Sequence, residues 1–231
     1  MTNIKHLILG TSLLLGTGTA TAAEISGNVS LGTDYAFRGI SQTTENPAVQ
    51  GGFDVESETG FYVGIWGSNV DFDGSIEVDL YAGYGGSFSE DIGYDVGILR
   101  YEYPDDEQAD APESSFNEVY ASISFVGFTA GLAWSPDFFF ESDKATYAYI
   151  NYEYGLPNEF GLGLHYGHQS IDDNTQFGTP DYNDYSIGLT KSVAELDLSL
   201  TWYDTDLSSS ECFGGSDLCE SRFVFAIGKS L

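Results

Sequence analysis

The chain has 231 residues, of which 36 are acidic and only seven are lysine or arginine, so its formal net charge is −29. This charge excludes ordinary nucleic-acid binding, which needs positive charge facing the phosphates. Aromatic residues make up 15% of the chain. That content argues against a disordered acidic chain, which would lack the apolar groups needed to form a core.

The first residues have the pattern of a secretion signal. A basic start at Lys5 precedes an apolar stretch over 7–16 and small residues at Ala22 and Ala23. We expect a signal peptide over 1–23, cleaved after Ala22 or Ala23. A transmembrane anchor is the alternative, but it needs ~20 apolar residues, and this run is shorter and broken by glycine and threonine.

Apolar and polar residues alternate along the rest of the chain, and this period of two is typical of strands with two different faces. For example, Ile76, Val78 and Leu80 alternate with Glu77 and Asp79. The alternation predicts about twelve strands, over 25–37, 48–57, 60–71, 76–84, 93–103, 116–125, 127–135, 145–154, 160–169, 182–191, 196–203 and 221–231. The third of these runs has apolar residues on both faces. No stretch has a helical period of useful length.

The connections between the predicted strands largely alternate in length. The longest are 39–47, 104–115, 170–181 and 206–220, and short turns fall at 57–60, 89–92, 127, 155–159 and 192–195. Outer-membrane barrels have this asymmetry, with short periplasmic turns, long external loops and an even number of strands. We therefore predict that residues 24–231 form an all-β domain, a transmembrane antiparallel up-and-down β-barrel. It would lie in the outer membrane of a Gram-negative bacterium, with both mature termini in the periplasm.

Aromatic residues near the ends of the predicted strands indicate two interfacial girdles. We expect Tyr35, Phe37, Tyr101, Tyr103, Trp134, Tyr166 and Trp202 near the external rim, and Phe61, Phe88, Tyr94, Phe125, Phe128 and Phe160 near the periplasmic rim.

In each predicted strand the polar residues occupy alternate positions and therefore share one face, and we expect this face to line the lumen. The predicted pore-lining residues are Asp34, Arg38, Asp54, Glu77, Asp79, Tyr81, Asp95, Glu118, His165, Asp184 and Asp197. Most of them are carboxylates, and carboxylates in a narrow pore attract cations and repel anions. The tyrosines on this parity, among them Tyr81, Tyr120 and Tyr149, are expected to narrow the pore.

The two cysteines, Cys212 and Cys219, lie close together in the long connection 206–220. In an oxidising compartment such a pair usually forms a disulfide. Free thiols or half a metal site are less favoured, because the spacing is not CxxC and no histidine is near. We expect the bond to stabilise the loop more than the barrel.

Several segments together resemble the TorF family of proteobacterial porins. They are YAFRGISQT at 35–43, PAVQGGF at 47–53, FYVGIWGSNVDF at 61–72, EVDLYAGY at 77–84 and YDVG at 94–97. The resemblance covers essentially the whole mature chain and is densest over 34–100. It implies an outer-membrane location and a porin role, but no substrate and no established functional residues.

These observations predict a porin, a passive diffusion channel for ions or small hydrophilic solutes that prefers cations and uses no cofactor. The expected partners are outer-membrane lipid, lipopolysaccharide and the transported solutes or cations.

A barrel enzyme, such as a lipid hydrolase or acyltransferase, is the first alternative. His168, on the lipid-facing parity, lies close in sequence to Ser170 and Asp172. A catalytic triad is defined by geometry rather than by sequence proximity, however, and no GxSxG motif is present.

Two further alternatives involve no chemistry. Asp71, Asp73 and the acidic stretch 105–110 supply oxygen ligands that suit calcium, although no full EF-hand loop is present. A barrel of twelve strands also lies between those filled by side chains and those with open channels, so a plugged structural or adhesive barrel is a third reading.

Overall fold

The computed structural model describes residues 23–72, 74–104 and 112–231, so the predicted signal peptide lies outside the described residues apart from Ala23. The strands are β1 Glu24–Gly32, β2 Ala36–Phe37, β3 Ile40–Ser41, β4 Ala48–Glu56, β5 Phe61–Asn69, β6 Ile76–Ser87, β7 Ile92–Glu102, β8 Phe116–Phe125, β9 Phe128–Ser135, β10 Ala145–Leu156, β11 Phe160–Ile171, β12 Tyr182–Val193, β13 Leu196–Thr205 and β14 Arg222–Ser230. A one-turn helix, α1, spans Asn174–Phe177, and 3₁₀ turns span Phe139–Glu141, Pro157–Glu159 and Ser209–Glu211. None of the described helices is long and apolar enough to span a membrane.

All strands except β2 and β3 form one closed antiparallel barrel of twelve strands. The barrel closes at β1, where Leu31 lies opposite Val49 of β4 on one side and Ile227 of β14 on the other. A closed sheet leaves no strand edge unpaired, as a sheet inside lipid requires. The predicted twelve-stranded up-and-down barrel is confirmed.

The outward face of the barrel is an exposed apolar belt. Ile65, Leu80, Ile98, Leu132 and Leu200, from five different strands, are between 45 and 59% exposed. Charged side chains on the outward parity of the described strands lie near strand ends, with Arg100, Glu102 and Asp204 at one end and Lys191 and Lys229 at the other. A soluble protein rarely exposes so continuous an apolar surface, whereas a barrel that crosses a bilayer requires one.

The two ends of the barrel differ as the sequence predicts. One end has short turns, including the two-residue hairpins Val126–Gly127 and Ala194–Glu195. All four of these residues have positive φ, as a two-residue type I′ hairpin turn requires. The other end carries the longer connections. We call these the short-turn end and the loop end.

The first strand ends earlier than predicted, at Gly32 rather than at residue 37. The apolar alternation continues to Phe37, but the Asp34 carboxylate accepts hydrogen bonds from the Tyr35 backbone N–H and from the Ser41 hydroxyl. Aspartate often redirects the chain through such local bonds, which compete with the sheet ladder. The chain therefore turns into the barrel after β1, and the predicted extension of this strand is wrong.

The aromatic girdles are confirmed only in part. Trp134 and Tyr166 are exposed on the outward face, as predicted, and so are most of the residues assigned to the other girdle. Tyr35, Tyr101 and Tyr103 are instead buried inside the barrel. Tyr101 lies on the inward parity of β7, and Tyr103 follows directly after this strand ends at Glu102, so the predicted place of both residues in the external girdle is wrong.

Candidate functional site

The lumen contains a segment of the chain itself. Residues 33–47, which we call the inner hairpin, enter the barrel and form the small antiparallel pair β2–β3. At its tip, Arg38 and Gly39 have φ of 47° and 80°, which fits a type I′ turn. A side chain at residue 39 would approach Thr205 Cγ2 to 2.6 Å, so glycine also allows the tip to lie against the barrel wall.

Asp34 holds the base of the inner hairpin. Its carboxylate accepts hydrogen bonds from the Tyr35 backbone N–H at 2.8 Å and from the Ser41 and Thr43 hydroxyls at 2.7 Å each. It also pairs with the guanidinium of Arg222 on β14, at 3.2 Å. Asp34 is thus the junction between the hairpin and the barrel wall.

Tyr35 ties the hairpin to a second part of the wall, at β6. Its hydroxyl donates to Glu77 at 2.8 Å, and Tyr103 donates to the other oxygen of the same carboxylate at 2.6 Å. The Tyr35 ring packs edge-on against Trp66, with centroids 5.5 Å apart. Burial, together with the nearby Glu77 carboxylate, raises the pKa of the Tyr35 hydroxyl well above its ordinary value, so it stays protonated and donates.

Arg38 projects from the hairpin tip across the lumen. Its Nη2 donates to both oxygens of Glu118, at 2.8 and 2.9 Å, and its Nη1 donates to Gln169 at 2.7 Å. The guanidinium carbon lies 4.1 Å from the centroid of the Tyr147 ring and 5.8 Å from that of Phe138. Charge-assisted hydrogen bonds and aromatic ring faces therefore hold the guanidinium group in place.

The loop-end half of the lumen is closed by these contacts and by aromatic side chains from the long connections at that end. Phe138, Phe139 and Phe177 pack with inward-facing residues of the strands in one buried cluster. Among the predicted pore-lining residues, Asp34, Glu77, Asp79, Glu118 and Asp184 lie in this part, and each is less than 9% exposed. They line a sealed, polar interior rather than a wet channel wall.

The short-turn half of the lumen is open, and we call it the vestibule. Its half-exposed lining includes Asp54, Tyr81, Asp95, Tyr120, Ser122, Tyr149, Asn151, His165 and Asp197. Five of the predicted pore-lining residues, Asp54, Tyr81, Asp95, His165 and Asp197, therefore face accessible space.

Carboxylates and hydroxyls are bonded to one another along the vestibule wall. Tyr81 donates to Asp54 at 2.5 Å, and the Tyr62 hydroxyl lies 2.9 Å from Asp95 and 2.6 Å from the Tyr120 hydroxyl. Asp197 accepts a hydrogen bond from Ser192. His165 lies deeper, with Nε2 at 2.7 Å from Asp184 and Nδ1 at 2.6 Å from Asn151.

The tyrosines narrow the vestibule less than the sequence predicts, because their rings lie over glycines on neighbouring strands. Atoms of Tyr81, Tyr62, Tyr120 and Tyr149 occupy the places where side chains at Gly64, Gly83, Gly97 and Gly131, respectively, would begin. Each of these pairs is directly cross-strand. The rings therefore lie along the wall, and those of Tyr81, Tyr120 and Tyr149 are half-exposed.

Sequence reasoning missed two of the important polar residues. Arg222 and Gln169 both lie on inward strand parity and are buried. In the described strands Arg222 is the only inward-facing lysine or arginine. The alternation of the last strand places Arg222 on the inward face, so this residue could have been predicted. The partner of Gln169 is Arg38, which lies in a hairpin that strand periodicity does not predict.

The side chains considered for a catalytic triad do not bond to one another, and no calcium site is formed by the described residues. Among the described residues, His168 bonds with Asn183 at 3.0 Å, while the Ser170 hydroxyl donates to Asp181 at 3.0 Å. The calcium alternative relies on Asp73 and 105–110, which lie outside the described residues. The remaining described chain contains no group of three or more His, Cys, Asp or Glu side chains arranged to hold a metal ion.

The predicted disulfide between Cys212 and Cys219 is present, and the loop that it closes covers the inner hairpin. The backbone N–H of Ser41 donates to the carbonyl of Leu218 at 2.9 Å, and Thr205 donates to the carbonyl of Cys219 at 2.9 Å. Both cysteines are buried in the aromatic cluster. The disulfide therefore lies within the packed cluster that closes the loop end of the barrel.

Replacing both cysteines by serine is expected to leave barrel assembly intact and to loosen the 206–221 loop. The bond spans only seven positions, and the stabilisation by a disulfide grows with the length of the closed loop. Heat-resistant gel mobility measures the barrel, and the rate of protease cleavage within the loop measures its closure. A variant that fails to assemble in an oxidising host would show that the barrel itself depends on the bond.

Two solved porin structures have barrels similar to this one. The KdgM porin superposes with a TM-score of 0.59 at 10% identity, over 89% of this chain and 99% of that one. The NanC porin gives a TM-score of 0.55 at 10% identity, over 87% of this chain and 97% of that one. At this identity the likeness shows the fold alone, a closed antiparallel β-barrel of twelve strands.

Sequence comparison gives the family. No curated protein matches the chain by sequence. The TorF resemblance is not confirmed by name and stays a prediction. Residues 16–231 match the family described as "Bacterial protein of unknown function (Gcw_chp)", and the chain belongs to that family.

Proposed function

We propose that this protein is an outer-membrane porin, a passive channel for ions or small hydrophilic solutes that prefers cations. The observation that carries the proposal is the acidic, half-exposed vestibule inside a barrel with an apolar outer belt. An apolar belt suits a barrel that lies in lipid, and a polar lumen would give solutes a path that lipid does not. The proposal includes no cofactor and no covalent chemistry.

The proposed orientation places the short-turn end in the periplasm and the loop end outside the cell. Gram-negative outer-membrane barrels have short periplasmic turns and long external loops. Residues 23 and 231 both lie at the short-turn end. Residues 1–23 would then act as the export signal, and the acidic loops would face lipopolysaccharide.

The cation preference rests on the charges of the lumen. Asp54, Asp95 and Asp197 line the vestibule, and their carboxylates accept hydrogen bonds from neighbouring hydroxyls. Arg38 and Arg222, the arginines described inside the barrel, are both paired with carboxylates. The accessible charge is therefore negative, which attracts cations and repels anions in a narrow pore.

Reversal potentials in a planar bilayer under a KCl gradient test this selectivity. We expect a cation-selective sign for the wild type and a shift toward zero for the double variant Asp54→Asn/Asp95→Asn, because asparagine keeps the acceptor oxygen and loses the charge. Asp204→Asn, on the outward face, is the matched control and should behave as the wild type. An anion-selective wild type would refute the electrostatic argument.

A plugged structural or adhesive barrel is the second candidate, and the closed loop-end half of the lumen favours it. The two readings differ in one respect: a channel requires that the inner hairpin leave its site. If neither the wild type nor a variant with a released hairpin conducts, the plugged barrel is the better account.

A further inference from the structure

The contacts of Arg38 define a binding site that belongs to the barrel and its cap rather than to the hairpin. Glu118 of β8, Tyr147 of β10 and Gln169 of β11 face inward, and Phe138 comes from the connection after β9. We call these four residues the guanidinium seat. Each is buried, with an exposed fraction of 6% or less.

The chemistry of the seat is selective for a flat cation. Glu118 supplies two carboxylate oxygens, Gln169 supplies an amide oxygen, and Tyr147 supplies a ring face 4.1 Å from the guanidinium carbon. Guanidinium is planar, carries several donors in fixed directions and stacks on aromatic rings, whereas ammonium does none of these equally well.

An empty seat would be unfavourable. Glu118 would be left as a buried carboxylate without its cation, and an unpaired buried charge is strongly destabilising. Asp79, close enough to Glu118 to interact electrostatically, is itself 5% exposed, and its Oδ1 has no hydrogen-bond partner among the described residues. When the hairpin leaves, the carboxylates of this part of the lumen lose their cation and therefore attract another one.

The seat adjoins the vestibule, so such a cation has a route to it. Tyr147, whose ring covers Arg38, also bonds through its hydroxyl to His165 at 2.7 Å and to Asp184 at 2.8 Å. His165 is partly accessible, at 22% of its side chain. The acidic vestibule wall concentrates cations on the approach.

We infer that the guanidinium seat binds solutes that carry a guanidinium group, and that Arg38 occupies it as an internal stand-in for such a solute. The inference rests on the proposed channel function for its biological meaning and names the class of solute. Arg38 is carried by a hairpin, so it competes with the free solute for the same oxygens and the same ring.

Removing the stand-in tests the inference. Arg38→Ala deletes the atoms of ethylguanidine from the seat, so ethylguanidine is the probe, titrated by calorimetry into the full-length protein in detergent. We expect one ethylguanidine to bind per Arg38→Ala chain. Ethylammonium should bind to the Arg38→Ala chain at least about tenfold more weakly than ethylguanidine does. Ethylguanidine should bind at least about tenfold more weakly to the wild-type protein and to Arg38→Ala/Glu118→Gln than to Arg38→Ala. This factor is expected because hydrogen bonds to charged groups contribute ~1.5–3 kcal/mol, and 1.4 kcal/mol corresponds to a tenfold change in affinity. Arg100→Ala, at the exposed rim, is the matched control and should not bind.

A second measurement keeps Arg38 in place, in case Arg38→Ala does not fold. In an Ile40→Cys chain, the introduced thiol lies on the buried hairpin, and its labelling by a maleimide reports hairpin release. Ethylguanidine should speed this labelling more than ethylammonium at equal ionic strength. Equal effects of the two cations, or ethylguanidine binding that is insensitive to Glu118→Gln, would overturn the inference. Calorimetry detects binding whether or not the barrel conducts. A protein that conducts but does not bind ethylguanidine would therefore reject the guanidinium seat and leave the channel standing. A protein that binds ethylguanidine but does not conduct would reject the channel and leave the seat standing.

Discussion

Arginine at Leu200 is expected to prevent most of the chain from assembling, whereas arginine at the neighbouring Ser199 is expected to be accommodated. Leu200 is in the middle of β13, 46% exposed on the apolar belt, between Leu189 and Phe225 on the adjacent strands. An arginine on the lipid face of a barrel costs ~2–4 kcal/mol at the bilayer midplane. This is a large part of the ~5–15 kcal/mol by which proteins are usually stable.

Ser199 is the matched control because it is one residue away on the inward parity, where an arginine meets the vestibule instead of lipid. Refolding into vesicles, followed by heat-modifiable gel mobility, gives the assembled fraction of each variant. Equal assembly of Leu200→Arg and Ser199→Arg would mean that the belt does not face lipid.

Alanine at Asp34 is expected to release the inner hairpin while the barrel stays folded. The substitution removes the acceptor shared by Tyr35, Ser41 and Thr43, and it takes from Arg222 its buried partner. Removing one member of a buried ion pair costs ~3–5 kcal/mol. Arg222 keeps backbone carbonyl acceptors, so the effect should lie at or below the lower end of that range.

The maleimide reaction of Ile40→Cys measures this release. We expect labelling to accelerate by about ten- to a hundredfold in the Asp34→Ala background, because each 1.4 kcal/mol changes the open population tenfold. Asp34→Asn, which keeps an acceptor oxygen, should have a smaller effect. Unchanged labelling would show that Asp34 does not hold the hairpin.

The barrel itself is predictable from the sequence because each strand carries its own signal. The alternation in β6 or β13 is strict, and short turns such as Ala194–Glu195 separate long strands. The lumen-facing parity of Asp54, Asp95 and His165 follows from the same period, so the structure places all three where the pattern does.

The inner hairpin is not predictable in this way, since its position depends on contacts between residues far apart in sequence. Arg38 meets Gln169 across 131 positions, and Arg222 meets Asp34 across 188. The alternation over 25–37 predicts one strand, but the local bonds of Asp34 together with distant partners of Asp34 and Tyr35 end it at Gly32. The sequence therefore leaves a plugged lumen only as an alternative: it assigns Asp34, Arg38 and Glu118 to the lumen but places Tyr35 in the external girdle.

The central claim is that an acidic vestibule, closed at one end by the inner hairpin, forms a cation-selective channel. Single-channel recording of the wild type and Asp34→Ala in the same KCl gradient tests it most directly. The account predicts the same cation-selective reversal potential for both proteins and a greater open probability for Asp34→Ala. Absence of current in both proteins, or an anion-selective sign in either, would contradict it.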